Sequence, residues 1–332
     1  MLPQHPSLIL SETDMPATIP VTADNFIRAE TDLYFGNIVK DGGFGKLRHF
    51  REPAPIDEQH VIRMNRDTLY STAVFDLDAG PATITLPDPG KRFLSLQVFD
   101  EDEYSPLVVY GQGKHTLTRE KIGTRYAGIG IRILVDPSDP KDVKEVHALQ
   151  DAINVDQKDA GRFEPPNWDQ GTQSVVREAL LTLGKTLPDS KGMFGTKDQV
   201  DPVHRLIGAA MAWGGNPEKE ATYLNVTPRQ NDGKTVYRLT VKNVPVDGFW
   251  SISVYNAKGY FEANPQNAYS INNLTAEKNT DGSVDIQFGG CDGKAPNCLP
   301  ITPGWNYLVR LYRPRVEILS GKWTFPEPQP VQ

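Results

Sequence analysis

Phe93-Leu94-Ser95-Leu96-Gln97-Val98-Phe99-Asp100 is echoed later in the chain by Phe249-Trp250-Ser251-Ile252-Ser253-Val254-Tyr255-Asn256. Phe, Ser and Val coincide, Phe99 meets Tyr255, Asp100 meets Asn256, and Tyr104 and Tyr260 follow at the same distance. Two further blocks fall in the same order. Asp67-Thr68-Leu69-Tyr70-Ser71-Thr72-Ala73-Val74 reads against Lys234-Thr235-Val236-Tyr237-Arg238-Leu239-Thr240-Val241, and Ile131-Arg132-Ile133 reads against Val309-Arg310-Leu311. Short β-branched and aromatic runs between Gly, Pro and Asn turns are strand signals. A repeated series of them predicts two related antiparallel β-sandwich or jelly-roll domains.

The chain around these blocks has room for both. Its 332 residues exceed one ordinary core, and twelve Tyr, thirteen Phe and five Trp supply bulk for two. A first domain is expected over 22–137, with a helix from Thr22 through Val39 that Gly42-Gly43 ends. Its strands are expected at 61–77, 82–86, 93–99, 107–110 and 130–135. A helical connector is expected over 138–215, with helix starts at Ser138-Asp139-Pro140 and Asp201-Pro202 and a third helix over 173–183. A second sandwich is expected over 216–328. Residues 1–21, Pro-rich and aperiodic, read as an extended arm.

Net charge is −7 and no Lys/Arg run exceeds two residues, so the basic stripe of a nucleic-acid binder is missing. No apolar run approaches the roughly 20 residues that span a bilayer. The N-terminus has neither a basic nor an apolar signal region, which reads as a cytoplasmic protein or as one numbered after a signal peptide was removed. The only cysteines, Cys291 and Cys298, flank a loop of turn-forming residues. Two reduced surface thiols are one reading. The preferred one is a disulfide, worth roughly 2–3 kcal/mol in so small a ring, and with it a periplasmic or secreted location.

Asn65-Arg66-Asp67-Thr68-Leu69-Tyr70-Ser71 followed by Phe75-Asp76-Leu77 resembles the signature of the bacterial domain of unknown function 1254. Asp247-Gly248-Phe249-Trp250-Ser251, Tyr255-Asn256, Asn297-Cys298-Leu299-Pro300 and Arg310-Leu311-Tyr312-Arg313-Pro314 resemble the domain of unknown function 1214. The resemblance covers roughly residues 25–328. It implies a tandem all-β fold with inserted helices, often exported, and carries no reaction. Cys298 stands where many relatives have Trp.

The copies differ in charge: Asp67 faces Lys234 in the alignment, and Asp100-Glu101-Asp102-Glu103 faces Asn256-Ala257-Lys258-Gly259. The acidic half is therefore the expected working end. Arg132 and Arg310 sit inside apolar strands, where each needs a partner. Asp67, Asp76 or Asp100 could complete an ion pair, or Arg310 could recognise a carboxylate. Candidate acid–base residues are Asp67, Tyr70 and Arg310; candidate ligand contacts are Asn65, Asp100, Trp250, Tyr255 and Tyr312. Of six histidines, none pairs at metal-ligand spacing, and His60 and His204 are the two to watch. No cofactor is expected. Asp100, Asp102 and Glu103 offer oxygen ligands for calcium, without the twelve-residue loop pattern. The expected function is binding of a small molecule or glycan where the sandwiches meet. The alternatives are a hydrolase built on Asp67 with Arg310 and tyrosines, and a purely structural module. Whether the chain is an enzyme, and its oligomeric state, stay open at this point.

Overall fold

The computed structural model describes residues 18–59 and 62–331. Helix α1 (Phe26–Lys40) leads into β1 (Arg48–Phe50) and β2 (Thr68–Asp76). Then come β3 (Ala82–Leu86), β4 (Leu94–Asp100), β5 (Leu107–Tyr110), β6 (Gly113–Leu117), the single turn α2 (Arg119–Ile122) and β7 (Tyr126–Leu134). Helix α3 (Pro140–Asp151) and β8 (Asn154–Asp156) follow, then α4 (Gln170–Gly184) and α5 (Pro202–Ala212). The second half runs through β9 (Ala221–Val226), β10 (Tyr237–Val241), β11 (Trp250–Tyr255), β12 (Ser270–Asn272), β13 (Val284–Phe288), β14 (Cys298–Leu299) and β15 (Asn306–Tyr312). It ends with α6 (Val316–Leu319) and β16 (Gln329–Pro330). Among the described residues no helix is long and apolar enough to cross a membrane.

Two sandwiches result, each of two sheets. In the first, β1-β2-β7-β4-β5 lies over β6-β3-β8; in the second, β9-β15-β11-β12 lies over β14-β13-β10-β16. Reading outward from the central strand of each inner sheet, β2, β7, β4 and β5 take the places of β9, β15, β11 and β12. In the outer sheets β3, β6 and β8 correspond to β10, β13 and β16. The register agrees as well: Tyr70 and Ser95 flank Arg132 across the strands, and Tyr223 and Ser251 flank Arg310. The duplication therefore holds at the level of topology, but one of its three blocks was misaligned. The counterpart of β2 is β9, not the 234–241 segment, so Asp67 corresponds to Glu220 and not to Lys234. Alternating Thr, Tyr and Val suit any half-buried strand, which is why the wrong pairing looked persuasive.

Strand alternation explains the cores. Odd positions of β2 and β7 (Leu69, Ala73, Phe75, Ile129, Ile131, Ile133) point between the two sheets of the first sandwich, with Ile84 and Leu86 opposite. Ile252, Val309 and Leu311 do the same in the second, against Leu239 and Ile286. The other faces of the two inner sheets meet each other. Equivalent residues touch there: the rings of Phe93 and Phe249 lie 5.0 Å apart. Tyr110 of the first copy donates to Glu220 of the second at 2.6 Å, and Asn272, the counterpart of Tyr110, donates to Asp67 at 3.0 Å. Such reciprocity is what a two-fold relation between identical patches produces.

The 138–215 stretch expected as a connector divides in two. Val146 of α3 is fully buried in the first core and β8 extends its outer sheet, so both belong to the first sandwich. Only α4 and α5 join α1 in a helical layer, through Phe26, Ala29, Leu180 and Ile207. That layer lies on β7, where Gly128 makes room: a Cβ there would fall 2.3 Å from the ring of Phe35. Helix α1 begins four residues after Thr22, because the side chains of Thr22 and Asn25 are spent on a preceding turn. Strand β2 begins at Thr68 rather than at 61, since Arg63 takes a left-handed φ of 54°. Of the proposed arm, residues 1–17 lie outside the described residues; Ile19 bridges to Trp168.

Candidate functional site

Arg132 and Arg310 face each other's sandwich across the junction and are both buried, at 9% and 2% exposure. Burying a guanidinium is costly unless its donors are satisfied. Arg310 donates to Ser253 Oγ (2.8 Å), to Tyr255 Oη (2.9 Å) and to the carbonyls of Arg63 (2.8 Å) and Met64 (3.2 Å). Those two carbonyls belong to the segment before β2, held in place by the left-handed Arg63. Tyr255 also donates to Met64 O at 2.8 Å. Arg132 donates to Gln97 Oε1 (2.9 Å) and to Gly214 O (3.4 Å). Gln97 and Ser253 are equivalent positions in the repeat, so each copy ties its arginine to the same neighbouring strand.

Neither arginine pairs with a carboxylate among the described residues, which corrects the expectation of a buried ion pair. Asp76 is engaged by Arg125 at 2.8 Å. Asp67 is buried, with Oδ1 accepting from Ser270 (3.2 Å) and Asn272 (3.0 Å) and Oδ2 without a partner among the described residues. Asp100 accepts the amides of Asp102 and Tyr104 within its own turn.

Tyrosines surround the pair instead. Arg132 lies 5.6 Å from the centroid of the Tyr70 ring. Asn65 Nδ2 donates to the Tyr70 hydroxyl at 2.9 Å and reaches that of Tyr312 at 3.4 Å. Tyr223 accepts from Asn216 at 2.8 Å. Burial alone would raise the Tyr70 hydroxyl, but Arg132, Thr68, Asn65 and Arg310 outweigh it and its pKa falls below the ordinary value. Tyr312 moves well upward, through burial and the neighbouring Tyr223 and Tyr70 hydroxyls. Both arginines stay charged: burial opposes the charge, but the tyrosine oxygens around each more than offset it. Asn65, Tyr70 and Tyr223 remain half-buried, so the cluster is not sealed.

Of the sequence candidates, the structure brings together Asn65, Tyr70, Tyr255, Arg310 and Tyr312, with Asp67 at the edge. Trp250 points the other way, into the second core against Phe325. Asp100 belongs to a turn that docks on the helical layer: Arg28 pairs with Glu101 and Asp102 there, and Arg205 lies 4.1 Å from the Tyr104 ring centroid. The acidic turn is thus a fastening point for the helices, not the working end. Glu101 and Asp102 are committed to Arg28, and no cluster of three or more among the described residues is arranged to hold a metal ion. His204 bonds to Lys191 O at 2.7 Å at the start of α5, and His60 lies outside the described residues. Sequence reasoning missed Tyr223, Gln97 and Ser253 and gave Arg132 only a structural part. The signal was available: all are polar side chains on one face of otherwise apolar strands.

The two halves are also what family models match. Residues 44–157 match "Protein of unknown function (DUF1254)" and residues 221–316 match "Protein of unknown function (DUF1214)". Among curated proteins none matches. The VPA0106 protein of Vibrio parahaemolyticus superposes with a TM-score of 0.70 at 18% identity, over 92% of this chain and 96% of that one. An uncharacterized protein from Burkholderia cenocepacia does so with a TM-score of 0.50 at 15% identity, over 91% and 88%. At these identities the likeness is one of fold.

Proposed function

Since this protein belongs to the family that joins domains of unknown function 1254 and 1214, no reaction is inherited, and we propose that its junction binds a small anionic molecule. The observation that carries this reading is a pair of buried arginines, one per copy, with no carboxylate partner among the described residues. Two positive charges in a low-dielectric interior favour an anion strongly, and planar guanidinium groups suit carboxylate or phosphate oxygens. Arg132 bonds to Gln97, to Gly214 O and to Tyr70, which leaves some of its five donors for a ligand. Tyr70, Tyr223 and Tyr312 supply hydroxyls and ring faces that orient it. A neutral glycan fits less well, because Trp250, the broadest stacking surface expected for it, is part of the core. A hydrolase built on Asp67 has less support still: Asp67 is tied to Ser270 and Asn272 and forms no ion pair with Arg310.

The test is calorimetric titration of the whole protein with inorganic phosphate, sulfate and succinate. At least one is expected to bind with one-to-one stoichiometry, and Arg132→Gln is expected to weaken it about tenfold or more. Absence of saturable binding, or an Arg132→Gln variant that binds as well as the parent, would sink the proposal. The Cys291–Cys298 bridge, with Cα atoms 5.7 Å apart, supports placing the protein in an oxidising compartment, periplasmic or outside the cell.

A further inference from the structure

A cavity opens in the second sandwich on the core side of β9 and β15, whose other face carries Arg310, and the repeat explains why it exists. After the central strand of each inner sheet the chain crosses over in a helix and returns to the outer sheet: β7–α3–β8 in the first copy, β15–α6–β16 in the second. Helix α3 has 12 residues and α6 has 4. In the first copy α3 closes the space beside β2. Val146 fills the core, and Gln150 bonds to Tyr70 O at 3.0 Å. In the second copy the single turn of α6 and the run that follows it leave a space of about 450 Å³ beside β9.

Its walls are core-facing side chains: Leu224 and Val226 of β9, Val309 and Leu311 of β15, Trp323 and Phe325 of the covering run. Its lining includes Asp189, Glu218, Lys191 and Glu327; Glu218 lies beside Ala221, at one end of β9, and Glu327 beside Tyr307, which pairs with Val226 at the other end. The Tyr307 hydroxyl also reaches it and makes no hydrogen bond among the described residues. Burial and the nearby Glu327 push that hydroxyl above its ordinary range.

We propose that this cavity is a second ligand site, taking a small apolar molecule with a cationic end. The volume is within the range of small-molecule sites, and aliphatic walls with a few polar groups at one end are their usual make-up. An ammonium group at the Val226 end would meet Glu327 beside Tyr307, whereas a carboxylate there would be repelled. The tail replaces the side chains that a longer helix supplies in the first copy.

Octylamine, octanol and octanoate titrated separately against the full-length protein, by calorimetry and tryptophan fluorescence, test this. Octylamine is expected to bind one-to-one, about tenfold more tightly than octanoate, with octanol between them. Leu224→Trp, which fills the space, is expected to weaken octylamine about tenfold or more. Glu327→Gln, at an exposed position, is expected to narrow the preference for the amine while octanol binding stays as it was. No saturable octylamine binding, octanoate binding as tight as octylamine, or Leu224→Trp binding like the parent would each overturn the proposal. Should Leu224→Trp fail to fold, Val226→Phe takes its place, and the comparison of ligands with Glu327→Gln decides without either.

Discussion

Arg132 and Arg310 occupy one position in two copies of the same sheet, yet they are held differently. Arg310 makes four hydrogen bonds, two of them to carbonyls of the segment that precedes β2 in the other sandwich. Arg132 bonds to Gln97, to the carbonyl of Gly214 just after α5 and to Tyr70, none of them in the other sandwich, and is the more exposed of the pair. A residue present twice can divide its work. One copy has become a clamp that holds the halves together, and its twin keeps donors free at the centre of the junction. The divergence does not follow charge, as the sequence suggested, because Asp67 and Glu220 are both acidic and both bridge to the opposite sandwich.

The largest effect expected from that division is on stability. Arg310→Met strips the partner from the Arg63 carbonyl and the Ser253 hydroxyl and one of two partners from Met64 O and Tyr255 Oη, which still bond each other, and buried groups left unpaired each carry a penalty. A loss of about 3–5 kcal/mol is expected in urea unfolding. Arg132→Met is expected to lose about 1 kcal/mol but to abolish anion binding. If the two variants lose equal stability, the arginines are interchangeable clamps and the division of work is wrong.

Much of this fold could be read from residues alone, and the failures share a cause. The blocks around Phe93 and Phe249 were paired correctly because an aromatic, a serine and an acid or amide at fixed spacing are specific. The block around Thr68 went astray because Thr, Tyr and Val say only that a strand is half-buried; the deciding fact, that Tyr70 and Tyr223 sit opposite equivalent arginines, is a matter of register. Helices α3 to α5 were legible through Asp-Pro starts and caps: Asp139 and Asp201 each accept the amides of the first turn. Strands of two or three residues such as β16 and β8 carry no periodicity and were invisible. At the site, the tyrosines and Arg310 were found, and Trp250 was misplaced because adjacent residues of a strand face opposite ways and its pleat was not fixed.

The loops between the copies' outer and inner strands give a second contrast. In the second sandwich β13 is followed by the Cys291–Cys298 loop, whereas the first copy spans the equivalent region with α2 and no covalent link. Replacing both cysteines by serine is expected to cost roughly 2–3 kcal/mol. What the loss does to the shape of the transition is more telling. The reciprocal contacts across the junction predict one cooperative unfolding transition that shifts as a whole. If only one of two transitions moves, the sandwiches unfold separately and the junction is weaker than its buried arginines imply.

The smallest effect belongs to the turn after β4 and its twin after β11. Asp100 accepts the amides of Asp102 (2.9 Å) and Tyr104 (2.8 Å), and Asn256 accepts those of Lys258 (3.0 Å) and Tyr260 (3.1 Å). The left-handed position is Gly259 in one turn and Glu103, at φ 60°, in the other. Glu103 accepts strain that glycine avoids, and its carboxyl takes the Gly214 amide at 3.0 Å while its other oxygen is buried without a partner. Burial, opposed by that amide and Arg205 and helped by Glu30 and Asp100, pushes the Glu103 carboxyl up to about 8. Burial likewise brings Asp100 to about 6. These groups are protonated in the fold at pH values where the unfolded chain ionises them. Their contribution is therefore complete below the ordinary carboxylate range and is lost as pH rises through the folded values. Unfolding free energy is expected to decline between about pH 5 and pH 8, and Glu103→Gln, which cannot ionise, should flatten that decline by about 1 kcal/mol. The asparagine turn has nothing to titrate, so Asn256→Ala should lower stability by a similar amount, about 1 kcal/mol, at every pH in that window. A decline left unchanged by Glu103→Gln would assign the pH dependence to other carboxylates, Asp32 first among them, since burial also brings it to about 6.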